Sequence, residues 1–204
     1  MANIRDNQLF FFRIFAQVAI GVLLGFLYQD IGNDSSRVED NVAMLFFCIL
    51  FSMFTAMMPT IMTYPSEMKT FKREYLNNWY SIVSYYFAKS MADLPFQIIL
   101  PSAFVTYIFF MTSQPLEDGG LRLALVILMC VLTSLVAQSL GLVIGCACDE
   151  KSAVFLGPIS VIPLLLFSGF FIKLKNIPSG LHWISYVAFI RYGYEGNSDK
   201  FNLI

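Results

Sequence analysis

Residues 42–64 carry no charged side chain, and neither do residues 94–112, the whole stretch between Arg122 and Asp149, or residues 152–172. A bilayer core about 30 Å thick is crossed by roughly 20 apolar residues in a helix, because each residue rises about 1.5 Å. Inside lipid there is no water to satisfy open backbone groups, so such runs must be helical. Residues 9–28 add a further run interrupted only by Arg13, whose long stem lets the guanidinium snorkel from near the helix end. The sequence therefore predicts an all-α, polytopic membrane helix bundle of five spans, at about 9–28, 42–64, 94–112, 123–148 and 152–172.

Composition agrees: the hydrophobic fraction is 57% against 13% charged residues, and the mean hydropathy is +0.67. A net charge of -1 leaves no basic field for a polyanion, which removes nucleic acid as a partner. No small-residue cleavage site follows the first run, which is preceded by Arg5 and Asp6, so it is expected to remain in the mature chain.

Pro158 and Pro163 should kink the fifth span and free carbonyls toward the bundle. Residues 177–193 are rich in Trp and Tyr, but their apolar centre is too short to cross, so they read as a re-entrant or interfacial helix. Basic residues set the orientation. Arg5, Arg13, Lys69, Lys72, Arg73 and Lys151 fall on one side, Arg37 and Arg122 on the other, which places the amino terminus in the cytosol. Asn33-Asp34-Ser35 then lies outside and makes Asn33 a glycosylation candidate.

Little in the chain points to catalysis. No phosphate loop of the form G-x-x-x-x-G-K-[ST] occurs, and no G-x-G-x-x-G follows a strand, so these residues offer no recognisable nucleotide site or ATPase centre. The one histidine, His182, belongs to the short aromatic helix and has no sequence neighbours suited to a metal. Cys48, Cys130, Cys146 and Cys148 lie in or beside apolar runs, where free cysteine serves as a small packing residue; the C-x-C at 146–148 is also compatible with palmitoylation or a metal.

Three features bear on assembly. Gly21-x-x-x-Gly25 and Gly141-x-x-x-Gly145 let helices approach closely, within one bundle or between two. Residues 67–80 form an amphipathic connection with both signs of charge, suited either to docking a cytosolic domain or to lying at the interface. Lys89 and Asp93, four apart, are placed to neutralise one another.

Five stretches resemble the membrane domain of the White-type G subfamily of ATP-binding cassette transporters, closest to its sterol- and lipid-exporting members. They are Arg-Glu-Tyr-Leu-Asn-Asn-Trp-Tyr-Ser from Arg73, Lys-Ser-Met-Ala-Asp-Leu-Pro-Phe-Gln from Lys89, Thr-Ser-Leu-Val-Ala-Gln-Ser-Leu-Gly-Leu from Thr133, Leu-Leu-Phe-Ser-Gly-Phe-Phe from Leu165, and Arg-Tyr-Gly-Tyr-Glu-Gly from Arg191. The resemblance implies a half-transporter that pairs with itself or another G-subfamily half. It would export a lipid or sterol by alternating access, in the plasma or an endosomal membrane, driven by ATP and Mg2+ bound in a separate nucleotide-binding domain. That domain and a sixth span have no counterpart in these residues, which suggests a fragment, an incomplete gene model or a shortened isoform. A non-transporting subunit that pairs with intact transporters and regulates them is the alternative.

The resemblance also implies residue roles. The substrate cavity would be lined from span two by Phe47, Phe51 and Phe54, and from span five by Phe155, Pro158, Ile159, Ile162 and Leu165. Their three-to-four spacing independently puts each set on one helix face. Phe170 and Phe171 would form an apolar gate above the cavity, and Arg73, Glu74 and Tyr75 would contact the ATPase domain. No cofactor or metal is expected on the chain itself.

Overall fold

The computed structural model describes residues 2–29, 38–113 and 119–168, and every regular element among them is an α-helix. There are five: α1 (Ala2–Leu27), α2 (Val38–Leu76), α3 (Ile82–Met111), α4 (Gly119–Ala147) and α5 (Glu150–Leu166). Each contains one of the expected spans or most of it. Three are long and apolar enough to cross a bilayer on their own, over Asp40–Leu76, Ile82–Met111 and Gly120–Ala147, while Phe11–Leu27 is a shorter apolar helix.

The largest departure from the sequence reading concerns residues 67–80. They do not form a separate connecting helix. α2 runs through Pro59 and Pro65 without a break as far as Leu76. Its 39 residues amount to ~58 Å at 1.5 Å each, nearly twice the thickness of a hydrocarbon core. The helix ends where Asn78 takes the left-handed conformation, φ 56°, which asparagine tolerates because its short amide can hydrogen-bond locally. Ser81 then caps α3, its hydroxyl accepting from the Ser84 amide at 3.2 Å.

In lipid, helices gain little from hiding apolar surface, so close contact between small residues holds the bundle. α2 and α4 form the most extensive pair. Along α2, Ile49, Met53, Met57 and Ile61 are fully enclosed at every fourth position. α4 meets them with Cys130, Ala137, Gly141 and Gly145. A Cβ on Gly141 would stand 3.1 Å from the Met57 carbonyl oxygen, and one on Gly145 would stand 3.2 Å from Tyr64 Cβ. The second glycine pair does the same for α1 and α3: a Cβ on Gly21 would meet the Tyr107 ring at 3.2 Å, and one on Gly25 would run into Met111. Both glycine motifs are thus used inside one bundle. Their contacts advance together along each pair, so α1 runs parallel to α3 and α2 parallel to α4, as alternate crossings require.

α5 packs on α2 and α4, with Gly157 against Ile61 of α2, and its buried positions Ala153, Gly157 and Val161 again fall at every fourth residue.

Two of the prolines release backbone carbonyls that other helices then satisfy. A proline lacks the N–H that would bond to the carbonyl four residues earlier. For Pro59 that carbonyl belongs to Thr55, and Arg13 on α1 donates to it from Nη2 at 3.0 Å and Nε at 3.3 Å. For Pro101 it belongs to Gln97, and the Ser134 hydroxyl on α4 lies 3.1 Å away. The guanidinium, expected to snorkel, is half-buried and bonded to α2.

An apolar face and an aromatic elbow

The eight residues expected to line a cavity divide into two groups. Phe51 is only 9% exposed and tilts against Phe104 of α3, with ring centroids 4.9 Å apart. It belongs to the core of its own bundle. Phe54 is half-buried and packs on that core, as does Leu165, and Pro158 is half-buried. Phe155, Ile159 and Ile162 stand 74%, 57% and 53% exposed, and Phe47 is 40% exposed. The reason lies in the register of α5: once Ala153, Gly157 and Val161 face α2, positions 155, 159, 162 and 166 must point away from it. α5 therefore offers an uncovered stripe of large apolar side chains, Phe155, Ile159, Ile162 and Leu166, with no charged group along it.

At the other end of α2 an elbow joins α2 to α3. Phe71 is buried there and gathers the rings of Tyr75, Tyr80 and Tyr85, at centroid distances of 5.8, 6.0 and 4.4 Å. Tyr80 and Tyr85 stack at 6.1 Å. The Tyr80 hydroxyl donates to the Glu74 carboxylate, and that bond holds the phenol above its ordinary pKa, since ionisation would set two negative charges side by side. Of the three expected contact residues, Arg73 and Tyr75 are exposed and Glu74 is half-buried as part of the elbow. Periodicity does not reveal the elbow, because its members straddle a turn; the signal was the density of aromatic residues between 71 and 86.

A polar chain leads from the elbow into the bundle. Lys89 does approach Asp93, at 3.9 Å, but its nearer partner is Glu67 of α2, at 2.8 Å. Asp93 in turn accepts from Gln138 Nε2 of α4 at 3.0 Å. Three helices are joined through charges that would be costly if left alone in lipid. Glu67 and Gln138 escaped the sequence reading, since nothing in linear spacing brings residues 22 and 45 positions distant to Lys89 and Asp93.

Cys48 and Cys130 are buried in the core, Cys146 is exposed and Cys148 half-buried, and all four are free thiols. Among the described residues no group of His, Cys, Asp and Glu is arranged to hold a metal ion. Asn33, Phe170, Phe171, His182 and the helix expected at 177–193 lie outside the described residues.

Residues 1–199 match the family of ABC-2 type transporters. The chain is 34% identical over 189 residues to ABC transporter G family member 21 of Arabidopsis thaliana, covering 90% of this chain and 26% of that protein. It is 30% identical over 187 residues to Protein white of Drosophila melanogaster, covering 90% of this chain and 27% of the relative. The broad substrate specificity ATP-binding cassette transporter ABCG2 of Sus scrofa is 29% identical over 184 residues, covering 89% and 28%. The chain thus spans about a quarter of the length of the curated relatives it matches. With its long apolar helices and this match over nearly all of its length, the chain is an integral membrane protein and belongs to the ABC-2 type transporter family.

Proposed function

We propose that this chain is the membrane-spanning half of an ATP-driven exporter that moves lipids or sterols by alternating access after pairing with a second G-family half. The observation that carries the reading is the stripe Phe155, Ile159, Ile162 on α5, uncovered and uncharged while the opposite face of the same helix is tightly packed on α2. Together with Phe47, Phe54, Pro158 and Leu165 it forms a surface that a second copy can complete into an apolar cavity, the usual setting for an apolar ligand between helices. Phe51 supports that surface from behind and does not line it. Phe170 and Phe171 are assigned the gate. Five spans bring the chain across the bilayer, in a plasma or endosomal membrane.

Force enters at the elbow. Arg73 and Tyr75 offer contacts to a nucleotide-binding domain that carries ATP and Mg2+, and Glu74 ties them to Tyr80. The bonds from Glu67 to Lys89, Asp93 and Gln138 then distribute displacement of the α2 end to α3 and α4.

The test is reconstitution of the full-length protein in liposomes, with ATPase stimulation and efflux measured against sterols and phospholipids. Stimulation lost on Ile159→Asp and Ile162→Asp supports the reading. Absence of both responses with every sterol and phospholipid overturns the cargo assignment.

A further inference from the structure

α2 and α4 run parallel, so α4 ends on the side of the bundle where α2 carries Lys69, Lys72 and Arg73 and Lys151 stands at the start of α5. The basic residues assign that side to the cytosol. Gly145 rests there against Tyr64 and Pro65, and both helices leave the hydrocarbon at this level. The first charge after the α2 span is Glu67, three residues past Tyr64, and the first after the α4 span is Asp149, three residues and ~4.5 Å past Cys146. Cys146 is the exposed member of the four cysteines; Cys48 and Cys130 are enclosed, and Cys148, just past the helix, packs partly on the core. No third ligand joins the C-x-C, since among the described residues no group of three metal-binding side chains occurs. An exposed thiol alone recruits nothing, but Cys146 ends an exposed row of Leu128, Leu132, Val136, Ser139 and Val143. These stand three or four apart, on the side of α4 turned away from the glycines packed on α2. The row holds no charge, and its one hydroxyl, that of Ser139, donates back to the Val136 carbonyl at 2.7 Å.

We propose that Cys146 is an S-acylation site that carries a long-chain fatty acyl thioester. A cysteine at the cytosolic edge of a span is where a membrane acyltransferase can bring a fatty acyl-CoA to a thiol. The Cys146 sulfur attacks the thioester carbonyl of that acyl-CoA. A new carbon–sulfur bond forms, the bond to coenzyme A breaks, and the proton given up by Cys146 ends on the coenzyme A thiol, with no change in oxidation state. The row below the thiol suits a long chain. Val136, ten residues back, lies ~15 Å deeper, about the midplane of a core ~30 Å thick. A fatty chain starting at Cys146 therefore runs beside Val143 and Val136 within its own leaflet, which an acetyl group is too short to do. The half-buried Cys148 stands in the turn and off this row. This inference rests on the orientation of the bundle and not on the transport reading.

The experiment expresses the full-length protein in cultured eukaryotic cells fed alkyne-tagged palmitate. Membranes are blocked with N-ethylmaleimide and treated with hydroxylamine, which cleaves thioesters, and the thiols released are tagged with a polyethylene glycol maleimide. The peptide bearing Cys146 is then read by mass spectrometry. The expected result is a hydroxylamine-released thiol at Cys146 in the unaltered chain, where no folding defect can intrude. Cys146→Ser should lose one tag and the matching alkyne signal, and Cys148→Ser should keep both. Four outcomes would each overturn the proposal: Cys146 wholly blocked before hydroxylamine, acylation at Cys148 alone, reaction of Cys146 with a membrane-impermeant maleimide added outside intact cells, or a disulfide joining Cys146 of two copies. Efflux by the assembled transporter is read separately, so failure here leaves the cargo assignment standing.

Discussion

Arg13 and Pro59 are coupled without touching: the guanidinium on α1 donates to the Thr55 carbonyl that Pro59 leaves without its helical partner. Replacing Arg13 by Leu should therefore cost about 2 kcal/mol, in the range of a hydrogen bond from a charged donor. In a Pro59→Ala background the residue at 59 regains its N–H and Thr55 is satisfied within α2, so the same Arg13 substitution should cost about 1 kcal/mol less. A double-mutant cycle on denaturant unfolding in detergent measures the difference; strict additivity would remove the link.

The glycines of α4 differ in what surrounds them. Gly141→Ala sets a methyl 3.1 Å from a backbone oxygen that cannot yield as a side-chain end can, and should destabilise by about 1–3 kcal/mol. Gly120→Ala meets nothing within 4 Å, so helix propensity alone acts and stability should rise by up to about 1 kcal/mol. Thermal melts of the two variants, side by side, check the contrast.

The elbow responds to alkali. Because the Glu74 bond raises the Tyr80 pKa in the folded chain, its contribution is complete below the ordinary tyrosine value and is lost as pH climbs through the raised one. Fluorescence of neighbouring Trp79, 70% exposed, should change in that alkaline range. Tyr80→Phe should abolish the change and leave the spectrum at neutral pH nearly intact.

The proposed pairing through α5 can be tested by crosslinking. With the exposed Cys146 and half-buried Cys148 replaced by Ser and the buried Cys48 and Cys130 kept, a cysteine introduced at Ile159 or Ile162 should form disulfide-linked dimers in native membranes, and one at the buried Ala153 should not. Monomer at all three positions would remove α5 from the subunit interface.

Lys89→Met should be more harmful than Glu67→Gln. The first leaves Glu67 and Asp93 without their shared cation, whereas the second leaves Lys89 with Asp93 at 3.9 Å. Expected losses are about 3 kcal/mol and about 1 kcal/mol, read from unfolding midpoints in detergent.

Much of this arrangement was legible in residue order alone. Uncharged runs marked the helices because the bilayer imposes length and hydropathy together, and the glycine pairs marked close contacts because only a missing Cβ allows them. The exposed Phe155, Ile159 and Ile162 follow from helical period once Gly157 is known to face α2. What period cannot supply is the choice among faces on a span that is uncharged all round, as residues 42–64 of α2 are. Hence Phe51, in step with Phe47 and Phe54, turned inward to Phe104. The continuity of α2 through Pro65 was equally hidden, since a proline next to a charged stretch reads as a boundary until neighbouring helices are seen to support it.

That continuity makes α2 a lever. Its natural pivot is Pro59, where the ladder of helical bonds loses one rung and α1 holds the freed carbonyl. By residue count the arm toward Leu76 is ~26 Å and the arm toward Val38 ~32 Å at 1.5 Å per residue. If two copies pair as proposed and α2 turns about Pro59 as one rod, a sideways push on its end beyond Pro65 would return at the far end in the opposite direction and about a quarter larger, so that pressing the two elbows together would spread the far ends apart.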